Sequence, residues 1–331
     1  MKISVALCTY NGARYVAEQL ESIASQTRPP DELVVCDDRS SDATVQILEA
    51  FAARAPFPVH IHVNESNLRS TRNFEKAIGL CTGDVIALSD QDDVWLPEKL
   101  ERTEAILHGR PQVGLVFTDA EVVSEALEPM GYRLWESVKF DAARQARIRD
   151  GDAFALLFQS YVVTGATMAF RARFRDLILP IPEGTHWIHD GWIALLVSAV
   201  AEVAFIPEPM LLYRQHSSQQ LGAAPPQADI EMNLSLADEV EISRSVTRSD
   251  YLAGSERIAP VATRLREFAQ RYPCGPSLEL ATARTAHLRA RGTLPAARAL
   301  RPLHVLRELS TRRYHRFGRG FYSALKDLWV K

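Results

Sequence analysis

Val85-Ile86-Ala87-Leu88-Ser89-Asp90-Gln91-Asp92-Asp93-Val94-Trp95 is the stretch on which the reading of this 331-residue chain turns. Its four leading apolar residues read as a short buried strand, and three carboxylates within four residues follow at once. Carboxylates so crowded repel one another unless a cation offsets them. Hard ions such as Mg²⁺ or Mn²⁺ take carboxylate oxygens together with substrate phosphates. The competing reading is a capping cluster, with Asp92 or Asp93 opening the helix that starts near Pro97. The neighbouring strands favour the metal.

Upstream, Ile3 to Cys8 reads as a buried strand stopping at Thr9-Tyr10-Asn11-Gly12, and Val16, Leu20 and Ile23 then recur at helical spacing. Leu33 to Cys36 is a second strand, followed by a helix carrying Val45, Leu48 and Ala52. Val59 to Val63 is a third, before a helix over about Thr71 to Leu80. Downstream come a helix through Leu107 and a strand over Val113 to Phe117. Strands alternating with helices imply βαβ units and a mostly parallel Rossmann-like α/β sheet flanked by helices. Ligands of such sheets bind outside the carboxyl ends of the strands. The residues to inspect are therefore Thr9 to Asn11, Asp37 to Ser40, Asn64 to Asn67, Ser89 to Asp93, and Thr118-Asp119. No Gly-x-Gly-x-x-Gly or Walker-type loop follows a strand, so dinucleotide and P-loop readings lose their weight. In Asp37-Asp38, one carboxylate can accept from a pyrimidine imide N–H while Ser40 and Ser41 cap the next helix. Asp37 reads equally well as part of that helix's opening.

From Asp150 the pattern loosens into helix, a strand over Ala166 to Phe170, a helix from Asp190, and strands near Val203 and Leu211. Gly222 to Gln227 marks a boundary, beyond which the chain reads as helices. The expected division is 1–120, 121–222 and a helical extension over 223–331.

These motifs in order carry a family resemblance. Cys8 to Asn11, Val34 to Asp42, Asn67 through Asn73, Thr82-Gly83-Asp84, Leu88 to Trp95, Thr164 to Phe170, His189 to Trp192 and Leu212 to His216 together resemble glycosyltransferase family 2, and within it the bacterial rhamnosyltransferase-like members. The likeness spans about residues 1–222. It implies a GT-A fold, a nucleotide-sugar donor, a divalent metal (Mg²⁺ or Mn²⁺), an inverting mechanism, and a saccharide or lipid-linked glycan acceptor in surface-polysaccharide assembly. Carried over by position, Thr9, Tyr10, Asn11, Asp37, Asp38, Asn67, Arg72 and Asp90 would serve the donor nucleotide. Asp92 would hold the metal and Asp190 would be the general base, while His216, beyond the carried-over set, reads as a further metal or diphosphate ligand or as an ordinary surface histidine. Asp93, Trp95, Thr164, Gly165, Trp187 and His189 would face sugar or acceptor, with burial in the core the plainer reading of both tryptophans and orientation of Asp190 the other role open to His189. Asp190 also reads as an N-cap of the helix after it, and Arg214 as a phosphate contact or a structural ion pair. Arg39 and Arg69 stand where the family commonly has glycine. The Gln-x-x-Arg-Trp motif of processive synthases is absent, which favours addition of a single sugar. The alternatives are the same fold using a UDP-hexose, a silent nucleotide-sugar-binding scaffold, and a nucleotidyltransferase, for which the loop after the first strand is poor in glycine.

Composition bounds the rest. With 47% hydrophobic and 24% charged residues the chain is globular, not disordered. The net charge of −3 hides a split: Ala281 to Lys331 carries 12 Lys and Arg against 2 Asp and Glu, and the first 280 residues carry 26 against 39. An acidic body argues against nucleic acid as a partner. The basic tail reads as an amphipathic helix suited to the inner leaflet of an anionic membrane, or as helices packing on the body or on another copy. No apolar stretch approaches the roughly 18 residues of a membrane span. The four cysteines lack metal spacing and read as reduced thiols of a cytoplasmic protein. Oligomeric state is open.

Overall fold

The computed structural model describes residues 1–217, 219, 222–226 and 246–330. They fall into two compact units, one of Met1–Ile181 and Trp187–Gln227, the other of Pro182–His186 and Ala228–Lys331. The expected boundary ends at Gln227, which with 228–245 lies outside the described residues.

Nine strands form the sheet of the first unit: β1 (Ile3–Thr9), β2 (Glu32–Asp37), β3 (Val59–Val63), β4 (Val85–Asp90), β5 (Val94–Trp95), β6 (Val113–Val123), β7 (Pro129–Arg133), β8 (Met168–Arg171) and β9 (Glu202–Arg214). Their order is β3-β2-β1-β4-β8-β6-β9-β5, with β7 beside β6. β1 to β4 pair in parallel, as the alternation of strand and helix requires, with the helices Val16–Ala24, Thr44–Ala52 and Arg69–Leu80 as crossovers. Their apolar runs bury β1 and β2 throughout. The register sets Thr9 opposite Asp37 and Cys8 opposite Asp90. The chemistry-bearing ends of three strands thus share one edge.

Beyond β4 the sheet becomes mixed, because β8 pairs antiparallel with both β4 and β6. Two local expectations change. The strand expected to stop at Phe117 runs on to Val123, so Asp119 lies within it, buried, accepting the N–H groups of Ala120 and Trp135. It belongs to the frame and not to a ligand edge. The strands expected near Val203 and Leu211 are one strand, β9. Pro207 and Pro209 lack the N–H a ladder needs, and the register against β6 shifts beside them. All four cysteines are free and buried.

In the second unit, the basic segment is not one amphipathic helix. It folds as the helices Gly275–Gly292, Arg301–Ser310, Arg313–Phe317 and Phe321–Asp327, after Arg248–Phe268. Leu294, Val305, Tyr314, Ala324 and Val330 form its small core. Arg291 pairs with Asp327 at 2.7 Å, and His287 and Arg313 both reach Glu308 at 2.7 Å. Among the described residues no helix is long and apolar enough to cross a membrane.

Candidate active site

At the carboxyl edge of β1, β2 and β4 lies a cavity of about 570 Å³. Thr9, Tyr10, Asn11, Asp38, Asn67, Asp90, Asp92, Thr164, Gly165, His189, Asp190 and His216, all singled out in the sequence, line it. Its size and its few convergent polar groups suit a small-molecule site.

Two loops are held together at its floor. The Gln91 amide accepts the Tyr10 N–H at 2.8 Å and donates to the Tyr10 carbonyl at 3.1 Å. A Cβ on Gly12 would overlap that amide, so a larger residue there would displace the Gln91 side chain from Tyr10. Asp38 accepts from the Leu68 N–H at 2.7 Å, the Arg69 N–H at 2.9 Å and Asn64 Nδ2 at 2.9 Å. A carboxylate has about four acceptor positions, so one is left for a ligand donor. Both arginines at the glycine positions keep left-handed backbone, Arg39 at φ 64° and Arg69 at φ 65°. We therefore expect Arg69→Gly to unfold within about 0.5 kcal/mol of the parent, and Arg69→Val, β-branched at positive φ, to cost about 1–2 kcal/mol. Urea titration of both variants checks this.

Asp90 and Asp92 leave β4 towards the cavity. Burial, then the charges of Asp92 and Asp190, push Asp90 up to about 7. Asp92 Oδ2 lies 2.8 Å from His216 Nε2, whose ring stacks on Tyr15 at 4.6 Å. A carboxylate and an imidazole so close, with open cavity beside them, form an oxygen and nitrogen donor set suited to Mn²⁺ or Mg²⁺, provided phosphate or water completes the shell. Among the described residues no group of three His, Cys, Asp or Glu side chains gathers around one point.

On the opposite wall, Asp190 is buried in the first turn of the helix His189–Ser198. The helix starts earlier than expected, with Ile188 at its cap position, so Asp190 lies within the first turn rather than at the cap. Its carboxylate accepts the Tyr161 hydroxyl, the Gly191 N–H at 2.7 Å and the Gly165 N–H at 3.0 Å. Burial still pushes it up to about 7. His189 stacks on Phe74 at 4.1 Å, and among the described residues neither ring nitrogen has a hydrogen-bond partner. Burial drives it down to about 3, so the ring is neutral.

Five expected site residues stand outside the lining. Asp37 is fully buried, accepting from Thr9 Oγ1 at 2.7 Å and from Ser40 N at 2.8 Å, which makes it the fastener of the β1 and β2 ends. Arg72 pairs with Glu75 at 2.7 Å in a separate, open depression. Asp93 is buried, with Oδ1 taking the Arg214 N–H and Oδ2 unpartnered among the described residues. Trp95 is buried, with the Lys99 ammonium 4.3 Å from its ring centroid, and Trp187 is buried against Phe158. Neither tryptophan offers a face to a sugar. Arg214 takes the structural role, its guanidinium donating to the Asp92 and Glu125 carbonyls and to Glu18.

Sequence reasoning missed Lys99 and Tyr161. Lys99 is fully buried, and Nζ donates to the Ala166 carbonyl. Desolvation lowers it to about 7, while Asp93 and Asp90 act in the other direction. Its signal was available: a lysine on the inward face of the first turn after an acidic cluster. Tyr161, in Tyr161-Val162-Val163, sits in no motif.

Residues 4–173 match the model of Glycosyl transferase family 2. The first curated relatives are longer than this chain: at 27% identity the match covers 65% of this chain and 59% of each of them. The dTDP-rhamnosyl transferase RfbG of Shigella flexneri is 27% identical over 233 residues, covering 66% of this chain and 74% of RfbG. Among solved structures, residues 1–349 of S. aureus TarS in complex with UDP-GlcNAc superpose with a TM-score of 0.54 at 17% identity, covering 99% of this chain and 88% of that one. The mannosyltransferase PcManGT from Pyrobaculum calidifontis, in complex with GDP-Man and Mn²⁺, gives 0.50 at 18% identity, covering 99% and 87%. At such identities the superpositions speak for the fold. The matched model spans more than half of the chain, including every acidic strand end described above, and the chain belongs to glycosyltransferase family 2.

Proposed function

We propose that this chain is an inverting, metal-dependent glycosyltransferase that moves one sugar from a nucleotide donor to a saccharide or lipid-linked glycan on the cytoplasmic side of the membrane. The observation that carries the reading is the convergence of Asp92 with His216, and of Asp190, on one cavity. Residues 1–120 supply the nucleotide half and 121–222 the acceptor half. Asp38, at the cavity wall with an acceptor position left, suits the base imide. Asp92 and His216 would hold Mn²⁺ or Mg²⁺ beside the diphosphate. A bound divalent cation supplies electrostatic stabilisation of the charge growing on the departing nucleoside diphosphate.

Asp190 does the proton work. Its carboxylate takes the acceptor hydroxyl proton as that oxygen attacks the anomeric carbon, on the face opposite the breaking bond to the nucleotide. Inversion follows from that single displacement. A base pushed up to about 7 is matched to such transfer near neutral pH. Tyr161 and Gly165 orient it. His189, neutral and with neither nitrogen partnered among the described residues, suits a sugar or acceptor hydroxyl.

The likeness to RfbG supports dTDP-rhamnose as donor, and a UDP-hexose is the second candidate. Thermal shift against dTDP-, UDP- and GDP-sugars, with Mn²⁺ or Mg²⁺, tests the reading. A ligand at 100 times its Kd stabilises by about 2.7 kcal/mol. We expect one donor class to raise the melting temperature with metal and much less in His216→Ala. If no nucleotide sugar shifts it, the reading fails.

A further inference from the structure

We propose that the helical unit carries a docking surface for an anionic phospholipid bilayer, formed by Leu300, Leu303, Leu306, Phe321, Leu325 and Trp329. These six side chains are between 55% and 72% exposed. They are not a by-product of a loosely packed unit. In the helix Arg301–Ser310 the inward face is complete: Arg301, Val305 and Glu308 are buried and Leu309 packs on the core, while Leu303 and Leu306 face away. In Phe321–Asp327 and the turn after it, Ala324, Asp327 and Leu328 point inward, while Phe321, Leu325 and Trp329 recur at intervals of four on the outside. The Arg301 guanidinium donates to the carbonyls of Leu328 and Val330 at 3.2 and 2.8 Å. That clamp brings the start of one apolar stripe to the end of the other.

Charge selects the occupant. Glu308 and Asp327 are the only acidic residues after Ala281, and both are buried in ion pairs. Arg298, Arg307 and Arg312 are exposed around the stripes. Two copies apposed through this face would set like charges together. An anionic headgroup layer supplies the counter-charge, while the leucines and aromatic rings enter the acyl boundary. A tryptophan at one end fits the interface, where its ring is apolar and its N–H stays wet. The inference does not depend on the nucleotide-sugar reading, and its test uses no activity.

Among the five tryptophans Trp329 alone is exposed, so emission from the full chain reports on this face. With vesicles of phosphatidylethanolamine and phosphatidylglycerol, we expect the protein to float, its emission to shift to the blue, and brominated phosphatidylglycerol to quench it. Phosphatidylcholine vesicles should leave all three unchanged, and added salt should weaken the binding. The variant Leu303→Glu/Phe321→Glu/Leu325→Glu, changed only at exposed positions, should partition at least about tenfold less. In Trp329→Phe the quenchable emission should vanish while flotation persists. Failure of the parent protein to float on the anionic vesicles would overturn the proposal, as would equal flotation of the triple variant. So would a concentration-dependent dimer that the triple variant abolishes, since the partner would then be a second copy. Should the triple variant melt early, quenching of Trp329 in the parent protein decides alone.

Discussion

Asp190→Asn is expected to lower the transfer rate by about a thousandfold while leaving donor affinity nearly unchanged, and to make the protein's stability less sensitive to pH. The kinetic part follows from losing a general base, worth about 10²–10⁴-fold. The stability part follows from what burial does to the carboxyl. Its pKa rises from 3.8 unfolded to about 7 folded. Between those values the unfolded chain has released the proton and the folded chain has kept it. The unfolded state then binds fewer protons, so unfolding free energy falls as pH rises through this window. At about 1.36 kcal/mol per unit, the ceiling on that loss is on the order of 4 kcal/mol above pH 7. Asparagine carries no such charge. It also loses one acceptor among the Tyr161, Gly165 and Gly191 donors, which sets a constant offset. The diagnostic is therefore the change in the difference between the two proteins. Urea titrations at pH 5 and pH 8, without metal, should show the variant gaining up to about 2–3 kcal/mol on the parent. In the parent, kcat/KM should climb with pH and level off above about 7, the deprotonated carboxylate being the active form. A parallel pH dependence of stability in the two proteins would contradict the buried-base account. Lost donor binding would move Asp190 to the donor site.

Much of this geometry was legible in the sequence because the information was local. The apolar runs of β1, β2 and β4 and the polar residues ending them place Thr9, Asp38 and Asp90 on one edge once parallel pairing is granted. What was lost needed the third dimension. Trp95 and Trp187 read in sequence as sugar platforms or, more plainly, as core, and only the packing decides: each is a large apolar side chain that burial claims before a ligand does. Asp37 and Asp38 are adjacent but point to different work, one fastening strands and the other lining the cavity, because successive side chains at a strand end face opposite ways. Tyr161 reaches Asp190 across 29 positions that include β8 and its flanking turns, a contact no spacing rule encodes.

Lys99→Met should be among the most destabilising single changes in this site, at about 2–3 kcal/mol, even though methionine nearly conserves the volume. The side chain is fully buried between the Ala166 carbonyl, the Trp95 ring and the Asp90 and Asp93 carboxyls. Methionine leaves that carbonyl without its donor, and it removes a cation acting on two carboxyls whose pKa values burial already raises. The carboxyls can respond by keeping protons, which is why the expected cost stays below the 3–5 kcal/mol seen when a fixed buried pair is broken. That response has a functional signature. Asp90 and Asp93, the charged neighbours of Asp92, would hold their protons to higher pH and lend the site less negative charge, so Mn²⁺ at Asp92 and His216 should bind about tenfold more weakly near neutrality and recover as pH rises. A purely structural lysine would lower stability without moving that pH dependence. Arginine should not rescue the site: its charge is right, but its planar fork is bulkier than a buried ammonium and meets one carbonyl where several acceptors are needed. Equilibrium unfolding and Mn²⁺ titration of Lys99→Met and Lys99→Arg across pH separate the two roles. If Lys99→Met matches the parent in both, the charge of the acidic cluster is balanced elsewhere.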